Sequence, residues 1–290
     1  MSLTNEMLRR FECDGLVTMP CAIPVPEIEA VVAEYERLAS QDQPARILER
    51  DGRTVRTLYY TRVDNEVLVR LVRHPLLVAT AQTLLGGDVY LHQLKFSGKK
   101  GLAGEPFGWH QDFTIWHRKD QLPAPRILSA AVFLDDIGVA SAPMLFVPGS
   151  HHEGMIDLPM NSKLTLYGTD EEPAERLLAE RAQRTFRQMT QLAYSGRAYD
   201  DIMLELVQRH GIEAGTGLRG TVVFFHGNTL HASGSNLSPF SRRLAILSYN
   251  HVDNLSPAGQ SERDAILAGR DTRPLKPWGA ALVDANSTPR

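Results

Sequence analysis

The sequence predicts a mainly β fold, a single barrel or sandwich with helices packed outside it, and three observations carry that expectation. After residue 88 the chain breaks into short runs rich in Val, Ile, Leu and Phe, separated by Gly, Pro, Asn and Asp, the usual punctuation of strands. Before residue 88 apolar residues recur at helical spacing. The two textures are segregated rather than alternating, which argues against a doubly wound parallel sheet.

Taken in order, Pro24 and Pro26 precede a helix over 27–40, where Ile28, Val31, Val32, Tyr35 and Leu38 form one apolar face and acidic residues near the start suit the helix dipole. A second helical pattern over 66–85 is cut at His74-Pro75, because proline lacks a donor and restricts its predecessor, and stops at Gly86-Gly87, so two short helices are expected. Strands are predicted over 89–96, 126–134, 144–147, 220–225 and 243–249. Between them, about 170–210 reads as a helix-rich insert, a scaffold in preference to a lid. No repeat, low-complexity tract or linker interrupts the chain, so one domain over 1–290 is expected: a helical part over 1–87, a β core over 88–250 and an extension over 251–290.

Of 290 residues, 43% are hydrophobic and 22% charged, a composition that describes a globular chain rather than a disordered one. The formal charge of −3 gives no basic footprint, so nucleic acid is not an expected partner. Two cysteines, Cys13 and Cys21, support neither a disulfide framework nor a Cys-rich zinc site, which leaves any metal to nitrogen and oxygen ligands. No apolar run approaches the roughly 20 residues of a membrane span. The charged start does not resemble a signal peptide, so a cytoplasmic protein, free of membrane partners and with homodimerisation as the default, is expected.

The chemistry gathers around Phe107-Gly-Trp-His110-Gln-Asp112-Phe-Thr-Ile-Trp116. If this stretch is a strand, residues i and i+2 share a face, and the His110 imidazole and Asp112 carboxylate can meet one ion. A second apolar run, 221–226, leads to His231, Ser233 and, eleven residues beyond His231, Arg242. Two histidines and one carboxylate leave coordination positions open, the arrangement of non-haem Fe(II) oxygenases, and Arg242 supplies the rigid bidentate cation that the far carboxylate of 2-oxoglutarate needs. His226 is a rival ligand and Arg243 a rival anchor, but His226 lacks an arginine at suitable spacing and Arg243 faces the other way if 243–249 is a strand. His117, His151 and His152 read as turn or surface residues.

Two blocks, 107–123 and the stretch from 211 through Arg242, resemble the phytanoyl-CoA dioxygenase superfamily of Fe(II)/2-oxoglutarate-dependent oxygenases, and within it most closely the ectoine hydroxylases and related amino-acid hydroxylases. The resemblance implies a distorted double-stranded β-helix, or jelly roll, and a cofactor set of Fe(II), 2-oxoglutarate as co-substrate and O2. Position by position, it implies His110, Asp112 and His231 as catalytic metal ligands, and Arg242 and Ser233 at the far carboxylate. Phe107, Ser129 and Gln93 would line the co-substrate. Trp116, Gln93, Lys95 and Ile246 would face the substrate. It also makes the Pro148-Gly-Ser-His turn structural. Thr114-Ile115, Ile246, Lys95 and Ser97 depart from the ectoine hydroxylase pattern and bear on the substrate rather than on the iron. The implied reaction is hydroxylation of an unactivated C–H bond in a small polar, zwitterionic metabolite such as an amino acid or ectoine, releasing succinate and CO2. Desaturation, cyclisation or epoxidation with the same cofactors is the alternative. A metal-binding jelly roll without activity is the alternative of another class, which leaves Arg242 and Ser233 unexplained.

Overall fold

The computed structural model describes residues 3–42, 45–49, 51–61, 63–156, 197–256, 263 and 265–279. Two antiparallel sheets face each other. The larger runs in the order β1-β9-β6-β11-β4-β3-β2 and the smaller in the order β5-β10-β7-β8, where the strands are β1 (Leu16–Met19), β2 (Arg46–Leu48), β3 (Val55–Tyr59), β4 (Val89–Lys99), β5 (Phe107–His110), β6 (Ile127–Phe133), β7 (Met144–Phe146), β8 (Glu213–Gly215), β9 (Val222–His226), β10 (His231–Ser233) and β11 (Arg242–His251). The helices are α1 (Asn5–Asp14), α2 (Val25–Ala39), α3 (Glu66–Val72), α4 (Pro75–Leu85), α5 (Asp112–Asp120) and α6 (Arg197–His210). This is the jelly-roll sandwich expected from the sequence.

β6 lies between β9 and β11 and is buried along its whole length, which explains its uninterrupted apolar sequence. Alternation then divides its side chains. Ala130 and Val132 join Phe224, Ala245 and Leu247 in the core under the helices, whereas Ala131 and Phe133 join Phe146, Phe225, Leu244 and Ile246 between the sheets.

The helical breaks behave as the sequence suggests. His74 caps α4 by accepting the Leu76 N–H, Pro75 opens the helix, and Gly86 closes it in the left-handed region at φ 72°. The first 87 residues are more than helical, however. β1 pairs with β9 and β3 with β4, so both edges of the large sheet come from this part. β1, β2 and β3, with three to five residues each inside a helical part, leave too few alternations to register as a pattern, and the three-residue β8 and β10 were missed as well. Of the insert expected over 170–210, residues 197–210 form α6, whose Met203 and Leu206 pack against Val147 and Leu230. The remainder, and with it the choice between lid and scaffold, lies outside the described residues. The extension returns along β4, where Gly269 N–H donates to the His92 carbonyl and Leu275 N–H to that of Val89. Among the described residues no helix is long and apolar enough to cross a membrane.

Candidate active site

β10 lies between β5 and β7 and places His231 directly opposite His110. The expected strand through His110 and Asp112 ends at His110; Asp112 is instead the first residue of α5, so the two side chains converge across a strand-to-helix corner. That corner is locked from both sides. The Gln111 amide donates to the carbonyls of Asn228 at 2.7 Å and Gly154 at 2.8 Å and accepts the Ile156 N–H, while Phe113 N–H donates to Gly227. A carboxylate in the first helical turn is also favoured by the dipole.

One potential ligand atom from each of His110, Asp112 and His231 lies within 4.8 Å of the others. His110 Nε2 is 3.7 Å from Asp112 Oδ1, and His231 Nε2 is 3.9 Å from Asp112 Oδ2. Both rings turn Nδ1 to a backbone carbonyl, Gly108 for His110 and Thr229 for His231, so Nδ1 carries the proton and Nε2 presents its lone pair to the shared point. Burial pushes the His110 imidazole down and takes His231 to about 3, so both are neutral at physiological pH. Burial raises the Asp112 carboxyl, but Lys95, His231 and His110 outweigh it and bring it to about 2. Its Oδ2 is buried without a hydrogen-bond partner. Two neutral imidazoles, one ionised carboxylate and an orphaned oxygen fit a divalent cation, and the set is the two-histidine, one-carboxylate face of non-haem iron sites.

The cavity over this face encloses about 800 Å³ including its open mouth, a size suited to small molecules. Gln93, Lys95, Phe107, Trp116, Ser233, Arg242 and Ile246 all line it. Arg242 is 1% exposed; its Nε donates to the Ala142 carbonyl and one terminal nitrogen to Ser97 Oγ, and among the described residues it makes no ion pair. Strand alternation sends Arg243 outwards to Asp135 and Glu36, which removes it as the anchor. Ser129 does not reach the cavity. Its hydroxyl meets Ser248 Oγ at 3.0 Å within the large sheet, so its expected place beside the co-substrate is corrected. His226 packs against Phe11 and His151 and is not part of the ligand cluster. The Pro148-Gly-Ser-His turn supports β10, since Ser150 Oγ accepts the Leu230 N–H at 2.9 Å.

The charged cavity residue that the sequence reading missed is Arg263. It comes from the extension and forms a two-point ion pair with Asp120 at the end of α5, through Nε at 2.7 Å and through Nη2. Asp120 also meets His92 Nε2 at 2.8 Å, and the His92 ring abuts Trp116 edge-on at 5.7 Å. No periodicity or motif surrounds Arg263, so nothing local in the sequence aims it at the cavity. Gln93, which does line the cavity, is tied to the same extension through the Leu267 carbonyl.

Comparison with known proteins agrees with this geometry. The family profile described as Phytanoyl-CoA dioxygenase (PhyH) matches residues 11–244. An ectoine dioxygenase of Stutzerimonas stutzeri (strain A1501) is 32% identical over 281 residues, covering 94% of this chain and 86% of the relative. An L-proline trans-4-hydroxylase of Streptomyces griseoviridis is 32% identical over 271 residues, covering 93% and 94%. The crystal structure of EctD from S. alaskensis with 2-oxoglutarate and 5-hydroxyectoine superposes with a TM-score of 0.75 at 28% identity, covering 97% of this chain and 89% of that one; the same protein has also been crystallised with bound Fe.

Proposed function

We propose a reaction and a substrate class from one premise: the chain belongs to the phytanoyl-CoA dioxygenase (PhyH) family. It is an Fe(II)- and 2-oxoglutarate-dependent dioxygenase that hydroxylates a small amino-acid-like metabolite. The observation that carries this reading is the pairing of the His110, Asp112 and His231 face with a buried arginine that makes no ion pair among the described residues, Arg242, in one cavity. When bound, iron(II) with 2-oxoglutarate and O2 supplies the oxidising power, and succinate and CO2 are released.

The chain's own residues bind, orient and exclude water. His110 and His231 would hold the metal through Nε2, each ring fixed by its Nδ1 contact, and Asp112 would add the negative charge. Arg242 would pair with the far carboxylate of 2-oxoglutarate, Ser233 would add a hydroxyl, and Phe107 would pack beside its carbon chain. Lys95 and Arg263 provide cationic ground for a substrate carboxylate, Gln93 an amide, and Trp116 and Ile246 the walls. A zwitterion satisfies that lining: its carboxylate faces the cations, and its apolar body lies against the tryptophan.

We take the substrate to be a free amino acid or a cyclic amino-acid derivative. A succinate-release screen across amino acids, cyclic imino acids and ectoine, with mass detection of product, tests this. Gain of one oxygen atom with one member of the set is expected, and loss of two hydrogens would reassign the outcome to desaturation. Silence across the whole set would overturn the substrate class. The near-neutral charge supports a reading without nucleic-acid partners. Homodimerisation and a cytoplasmic location complete the proposal; light scattering tests the first and cell fractionation the second.

A further inference from the structure

Among the described residues, two polar atoms of the cavity lining are buried with no hydrogen-bond partner, Asp112 Oδ2 and Thr57 Oγ1. The metal face accounts for the first. Thr57 stands on β3 and is 2% exposed, and no group of the fold takes up its hydroxyl. A buried hydroxyl left unpaired costs stability, and valine, of nearly the same shape, suits a strand as well as threonine does. An orphaned hydroxyl facing a ligand cavity therefore points to a partner that comes with the ligand.

The sheet register indicates which ligand atom that is. Thr57 lies directly opposite Ser97 on β4, so the two hydroxyls leave the sheet on one face. Ser97 Oγ accepts a hydrogen bond from a terminal nitrogen of Arg242 at 3.4 Å. Two residues back along β4, Lys95 Nζ is 3.7 Å from Asp112 Oδ1. The row of Thr57 and Ser97 thus lies between the guanidinium and the metal face, on the guanidinium's side. The methylene carbons of 2-oxoglutarate offer no acceptor, so the oxygens available to this row are those of its far carboxylate. A β-bulge fixes Thr57 in this direction: Leu48 pairs with Val55 and Ile47 with Thr57, which makes Arg56 the extra residue. The Arg56 guanidinium is tied to Glu49, Glu105 and the Pro106 carbonyl, so the bulge is held in place.

We propose that Thr57 is a further binding residue for the co-substrate, its hydroxyl donating to an oxygen of the far carboxylate beside Arg242. The inference rests on the 2-oxoglutarate reading above. It makes β3, a strand from the first 87 residues, part of the binding site as well as of the scaffold. The hydroxyl is satisfied only when the diacid is in place, so its removal acts with opposite signs on the two states. The ligand-free protein is relieved of an unpaired buried group, and the complex loses a hydrogen bond to a charged acceptor.

Two variants separate these effects: Thr57→Val removes the hydroxyl and keeps the shape, and Thr57→Ser keeps the hydroxyl. Calorimetry on the Mn(II)-loaded proteins measures the binding of 2-oxoglutarate without turnover. Pyruvate, which has the same chelating end but no far carboxylate, serves as the reference. Chemical denaturation of the ligand-free proteins gives their midpoints. Thr57→Val should raise the Kd for 2-oxoglutarate about tenfold, leave that for pyruvate unchanged, and show a midpoint at or above the wild type. Thr57→Ser should bind 2-oxoglutarate as the wild type does. Wild-type affinity in Thr57→Val overturns the proposal, as does an equal loss of affinity for pyruvate. A lowered midpoint in Thr57→Val also overturns it, because the hydroxyl would then be satisfied within the fold. A wild type that binds no 2-oxoglutarate removes the co-substrate reading itself and this inference with it.

Discussion

His110 and His231 fix their rings by the same local device: each Nδ1 faces the carbonyl of the residue two positions earlier, Gly108 at 2.8 Å and Thr229 at 2.9 Å, and the ring centres lie 4.2 Å apart across the β5–β10 pair. The proton is thereby committed to the backbone side of both rings before any ion arrives, and both Nε2 lone pairs address one point beside Asp112. Pre-set tautomers and a cavity of small-molecule size are what the proposed chemistry asks of the protein.

Arg242→Ala removes a buried guanidinium from the cavity while leaving the metal face intact. Truncating one side of a buried charge pair costs roughly 2–5 kcal/mol, so the KM for 2-oxoglutarate should rise about 100-fold, with little change in the KM for the substrate. Steady-state kinetics with each varied in turn checks this, and equal effects on both would remove the anchor role.

Arg263→Ala breaks the ion pair with Asp120, in which the side chains are 7% and 1% exposed. Leaving a buried carboxylate short of its partner costs about 3–5 kcal/mol, visible as a lower denaturant midpoint. Because α5 carries both Asp112 and Trp116, substrate KM should rise in the same variant. An unchanged midpoint and an unchanged KM would confine Arg263 to the surface chemistry of the extension.

Trp116 is 2% exposed, so truncation to alanine would be confounded by a core cavity costing about 3–5 kcal/mol. Trp116→Phe keeps most of the volume while altering the wall. Succinate formed per hydroxylated product should rise above the wild-type ratio in this variant, measured by parallel quantification of both. A retained ratio together with retained substrate affinity would return Trp116 to a packing role.

His226 gives the pH dependence of stability a testable sign. Burial, then the neighbouring His151, lowers it from 6.5 to about 4. Between those values the unfolded chain binds more protons there than the folded one, so the stability contributed is full above about pH 6.5 and is lost as the pH falls. His226→Gln should flatten the loss between pH 7 and pH 5 by about 2 kcal/mol, measured by chemical denaturation at both values. The same pH slope in variant and wild type would show that other groups carry it.

The sequence made the metal face legible because its three ligands sit in two dense motifs, and it made Arg242 legible because strand alternation separates it from Arg243. The long strands β4, β6 and β11 were legible because each is buried along a run long enough to show. What stayed hidden was set by tertiary pairing. β1 and β3 owe their extended state to β9 and β4. Asp112 begins a helix because the side chain of Gln111 is gripped by Gly154, Ile156 and Asn228. Arg263 reaches the cavity through a partner 143 positions away, a contact that no local pattern encodes.

The most direct test of the central claim is an anaerobic titration of the Fe(II)-loaded protein with 2-oxoglutarate, followed by visible absorption. Chelation of iron by the co-substrate at the face of His110, Asp112 and His231 predicts a weak charge-transfer band that saturates at one equivalent and is absent in Asp112→Ala. A wild-type protein that holds one equivalent of iron yet shows no band, or an Asp112→Ala variant that keeps it, would contradict the assignment.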